Sequence, residues 1–62
     1  MVKMNDYYSI EIQQPSNNWL SVRMVIPFNH QMLVNEMKQV KQQHPNSRVR
    51  VTDKDGRLVD MI

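Results

Sequence analysis

VRVTDKDGRLVDMI, residues 49–62, carries two alternating apolar runs on either side of Asp53-Lys54-Asp55-Gly56. Alternation with period two, rich in β-branched residues, marks half-buried strands. The four residues between the runs fit a type I turn, with Gly56 as the left-handed residue of a bulge. In that turn Asp53 faces Arg57. The register then pairs Val51 with Val59, Arg50 with Asp60 and Val49 with Met61. Residues directly opposite share a sheet face. Four apolar residues therefore gather on one side and an Arg–Asp pair on the other, and a slip of one residue would destroy both matches. The stretch reads as a hairpin. A calcium loop starting at Asp53 would need further oxygen ligands and a closing Glu at its twelfth position. Counted from Asp53, that position lies beyond Ile62.

Upstream, YYSIEIQQ (residues 7–14) alternates in the same way, with Tyr8, Ile10 and Ile12 against Tyr7, Ser9, Glu11 and Gln13. PSNN (residues 15–18) is a turn cluster. WLSVRMVI (residues 19–26) then alternates again, with Leu20, Val22, Met24 and Ile26 on one face. These runs predict a first hairpin. After Pro27 the period changes. Asn29 can cap a helix by accepting from the backbone N–H of Met32. Phe28 and Leu33 have the spacing of a hydrophobic staple. Leu33, Met37 and Val40 continue one apolar stripe, opposite Gln31, Asn35, Lys38 and Gln42. Pro45 disfavours helical geometry at His44, so the helix should stop near Gln43.

The predicted fold class is α+β: ββαββ, a four-stranded antiparallel sheet with one amphipathic helix packed on one face. A right-handed crossover from the second strand over the first gives the order 2-1-3-4; placing the second and third strands side by side is the competing topology. The helix side would hold Tyr8, Ile10, Ile12, Leu20, Val22, Met24, Ile26, Val49, Val51, Val59 and Met61. Residues 1–62 form a single small domain. A chain of this length buries only ~60% of the surface its unfolded form exposes. It often needs a staple or a partner, and without cysteine a disulfide cannot serve.

Eight basic and six acidic residues leave a net charge of +2, a weak argument for a polyanionic partner. The longest apolar run, Met24 to Phe28, is too short to span a bilayer. The expected location is cytoplasmic, with no membrane association. His30 and His44 stand ~21 Å apart at helical rise and cannot share a metal. The serines lack a base and an orienting acid, and Gly56 is the only glycine, so there is no phosphate-binding loop. These readings predict no enzyme, no metal and no cofactor.

What remains is the sheet face away from the helix. By parity it carries Tyr7, Trp19, Val25, Leu58 and Ile62 among Glu11, Arg23, Arg48, Arg50, Thr52 and Asp60. Tyr7, Trp19, Arg23, Val25, Arg48, Arg50, Leu58 and Ile62 form the candidate binding surface. Aromatics with arginines suit a protein hot spot and also base stacking on a nucleic-acid platform. Cross-strand pairing of Arg50 with Asp60 and Glu11 with Arg23 on a solvated face is the plain alternative. In the 2-1-3-4 order the second strand is an edge with only Arg23 as a charged guard. A homodimer through that strand or the open face is therefore expected.

A first strand, a turn leading to Trp19, a second strand, a short helix ending in Pro45, and then RVRVTDKDGRLVDMI (residues 48–62) together resemble short proteins of phages and prophages. The resemblance spans most of the chain and carries over no functional residue. It implies an accessory protein of a phage or mobile element, acting in a bacterial cytoplasm. The preferred function is a non-enzymatic protein that binds a protein partner through its sheet. A nucleic-acid platform and a self-assembling particle component are the alternatives.

Overall fold

The computed structural model describes residues 6–62. Its elements are β1 (Tyr8–Gln13), β2 (Trp19–Val25), α1 (His30–Gln43), β3 (Val49–Asp53) and β4 (Leu58–Met61). The strands form one antiparallel sheet in the order β2-β1-β3-β4. With α1 this is the α+β fold that the alternation predicts.

Both hairpins close with the same turn. In the second, the Gly56 N–H donates to the Asp53 carbonyl (3.0 Å) and the Asp53 N–H to the Arg57 carbonyl (2.9 Å). In the first, the Asn17 N–H donates to the Gln14 carbonyl and the Gln14 N–H to the Asn18 carbonyl, both at 2.8 Å. The fourth turn residue is left-handed in each, with φ 81° at Gly56 and φ 70° at Asn17. Glycine adopts that region freely, and asparagine more readily than most residues. Pro15 supplies the fixed φ that suits the first corner. Asp53 Oδ1 accepts from the Asp55 and Arg57 amides, both at 2.9 Å. The Asp53 carboxylate thus serves the turn.

The helix starts as expected. Asn29 Oδ1 accepts from the Met32 N–H at 2.8 Å. It ends at Gln43, where the His44 N–H is shared between the carbonyls of Val40 (3.0 Å) and Lys41 (3.2 Å), just before Pro45. Lys41 Nζ donates to the Ser47 carbonyl at 2.7 Å and ties down the loop into β3. Leu33, Met37 and Val40 are buried against Tyr8, Ile10, Ile12, Val25, Val49 and Val51. The helix lies nearest β3 and leaves β2 less covered. The predicted staple does not bury its outer partner: Phe28 remains 77% exposed.

Two bulges correct the predicted registers. Ile10 pairs with Arg23 but Glu11 pairs with Ser21, so Val22 is the extra residue. The shift brings Val25 opposite Tyr8 and Met24 opposite Ser9. Val25 therefore enters the core, while Met24 turns to the open face. Of the predicted helix-side set in β2, Leu20 keeps its face opposite Ile12 but is exposed, as are Val22, Met24 and Ile26, so all four stand outside the core. In β4, Thr52 pairs with Leu58 but Val51 pairs with Asp60, skipping Val59. Arg50 consequently faces Met61, and Val49 exchanges both backbone hydrogen bonds with Ile62. The expected Arg50–Asp60 pair does not form, and Val59 and Met61 stand outside the buried cluster.

Candidate functional site

The open sheet face is built by β1 and β3 at its centre and by the two edge strands. From β1 come Ser9 and Glu11, from β3 Arg50 and Thr52, paired Ser9 with Thr52 and Glu11 with Arg50. Arg50 Nε donates to Glu11 Oε1 at 2.5 Å, and the guanidinium lies 4.1 Å from the centroid of the Trp19 ring. The π face of Trp19 and the charge of Arg50 thus occupy each other. The Ser9 and Ser21 hydroxyls share a hydrogen bond. Arg48 is exposed and directs Nη2 at Met61 Sδ, 3.0 Å away. Tyr7 (41% exposed) and Leu58, opposite Thr52, complete the predicted residues on this face.

The remaining three lie elsewhere. Arg23 stands opposite Ile10, on the helix side, where Nη1 meets Glu36 Oε2 at 2.7 Å and Gln39 Oε1 at 3.3 Å. Its expected pairing with Glu11 is replaced by this contact with the helix. Val25 is a core residue. Ile62 pairs with the buried Val49 and so shares the helix side, although it is half exposed. The bulges account for all three displacements, because each reverses the parity beyond it.

A different row emerges along β2 and the segment leading into α1. Leu20, Val22, Met24, Ile26 and Phe28 are 44%, 38%, 65%, 61% and 77% exposed. The even spacing of the first four leads to a core assignment, and Phe28 is expected to form a staple with Leu33. The signal that locates them is the topology, which makes β2 an edge, together with the position of α1 nearer β3. Five apolar side chains thus border one edge of the sheet.

Other sites are poorer. A depression of about 290 Å³ between the first turn and the loop after α1 is lined by Gln13, Gln14, Pro15, Asn46, Ser47 and Arg48. It lies just below the usual range of ligand pockets, ~300–1,000 Å³. Lys54 pairs with Asp6 at 3.3 Å; that hydrogen bond, and then the Asp6 charge, raise the Lys54 pKa above its ordinary value. His30 begins α1 and His44 caps its end. Among the described residues no group of three or more His, Cys, Asp or Glu could hold a metal ion. Nor, among them, is any helix long and apolar enough to cross a membrane.

The geometry defines a two-layer α+β domain with an apolar flank at one sheet edge. Comparison with protein-family models, with curated proteins and with solved structures gives no match.

Proposed function

We propose that this chain is a non-enzymatic binding module that contacts protein through its β2 flank. The observation that carries this reading is the exposed row Leu20, Val22, Met24, Ile26 and Phe28. Large apolar side chains left exposed together along one sheet edge, on both of its faces, mark an interaction site. The open face supports it less, because Arg50 is already engaged by Glu11 and Trp19. The resemblance to phage and prophage proteins makes a bacterial cytoplasm the setting in which a partner is sought.

The test is capture of the tagged chain from a bacterial lysate that also contains an untagged copy. Wild type is expected to retain one stoichiometric protein, and Met24→Lys to lose it. Equal recovery by both, or recovery of no protein at all, overturns the reading. Arg48 and Tyr7 on the open face favour nucleic acid as a second reading. Under it, mixed single-stranded RNA and DNA would bind saturably at low salt, with an affinity that falls steeply as salt rises. Absence of saturable binding disposes of that alternative.

A further inference from the structure

We infer that the protein covering the β2 flank is a second copy of this chain, with β2 laid antiparallel to its symmetry mate. The inference rests on the reading of the β2 flank as a protein-contact surface and names the partner. β2 is a terminal strand of the sheet, so among the described residues one side of its backbone has no neighbouring strand. A two-fold axis perpendicular to the sheet joins two such edges into one eight-stranded sheet and keeps both helices on the same face. Isologous contacts of this kind are the commonest in homo-oligomers.

The bulge at Val22 restricts the register, and the face-matched pairing centred beside it is the one proposed. Leu20 faces the helix side, opposite Ile12, whereas Met24 faces the open side, opposite Ser9. Antiparallel partners must share a face. A dimer centred on Val22 would set Leu20 against Met24, on opposite faces, and is excluded. Centring between Val22 and Arg23 sets Leu20 against Val25 of the second copy and Ser21 against Met24. Both pairs then match in face.

Bulges and inward-turned charges are devices that blunt sheet edges, and β2 carries one of each. Arg23, however, is held by Glu36 at 2.7 Å within its own chain. Each copy therefore brings a neutralised pair to the axis. The size of the surface also fits. The five flank residues expose on the order of 500 Å² per chain, at the upper end for a patch left on a monomer (~300–600 Å²). A standard interface buries ~800 Å² on each partner, so the flank would supply part of it and the rest of the β2 edge the remainder. The chain has no cysteine to staple it, and oligomerisation is one of the usual remedies for a core this small.

Light scattering across the micromolar range is expected to give twice the chain mass for wild type and for Leu58→Lys at the far edge. Met24→Lys is expected to give a monomer with unchanged circular dichroism. The register is tested independently in this cysteine-free background by single cysteines. A mixture of Ser21→Cys and Met24→Cys chains is expected to form a disulfide-linked pair under mild oxidation, and neither variant alone. A folded monomeric wild type overturns the inference. So does a dimer that survives Met24→Lys or that cross-links without preference. If lysate capture then still recovers a foreign protein that Met24→Lys loses, the protein-contact reading stands and only the identity of the partner falls.

Discussion

Arg50 joins two strands and an aromatic ring through a single side chain. Its Nε is bound to Glu11, 39 residues away in sequence, and its guanidinium covers Trp19. Both ions are partly screened by solvent, so the ion pair itself contributes little, ~0–1 kcal/mol. The contact with the ring is expected to add about 0.5–1 kcal/mol. A double-mutant cycle with Arg50→Met and Trp19→Leu, read by urea denaturation, checks this coupling; a coupling of zero would show that the two side chains are merely adjacent. Gly56 makes the complementary case of a residue that acts without contacts. A Cβ at that position would meet nothing within 4 Å, yet φ is +81°. Gly56→Ala is therefore expected to cost about 1–2 kcal/mol by backbone conformation alone. An unchanged denaturation midpoint would contradict that assignment.

At the scale of elements, β2 separates what is legible in a sequence from what is not. The cap at Asn29, the stop before Pro45 and the turn at Asp53–Gly56 follow from residue types at fixed spacing, and all three stand as predicted. Alternation identified each strand for the same reason. The faces of β2 and β4 could not be read so, because one extra residue reverses parity and neither Val22 nor Val59 bears any local mark of being that residue. Prediction of the binding surface inherited the error: Tyr7, Trp19, Arg48, Arg50 and Leu58 share the open face, but Arg23, Val25 and Ile62 do not. The bulge in β2 has a sharp test at concentrations where the chain is monomeric. Val25→Ala is expected to cost about 2 kcal/mol through lost burial, and Met24→Ala less than about 0.5 kcal/mol. The uninterrupted register demands the reverse order.

For the molecule as a whole, stability and association are linked. A partner that binds only the folded chain stabilises it by mass action, so the midpoint depends on concentration. The thermal midpoint of wild type is expected to climb with protein concentration, and that of Met24→Lys to stay constant. Parallel flat lines would leave the fold to its own core. That core comprises Tyr8, Ile10, Ile12, Val25, Leu33, Met37, Val40, Val49 and Val51. The two matching turns carry a consequence of another kind, for the order of events in folding. Each hairpin is closed by its own short turn and can form locally, on a timescale of about 1–10 μs. Pairing β1 with β3 instead requires closure across the helix and its flanking loops, an entropic cost met before any reward. Docking of the two hairpins along that line is expected to limit the rate. Stopped-flow refolding of Ile10→Val and Val51→Ala should therefore slow in proportion to their loss of stability, whereas Gly56→Ala should act mainly on unfolding. The opposite partition would mean that the turns, not the central strands, set the pace.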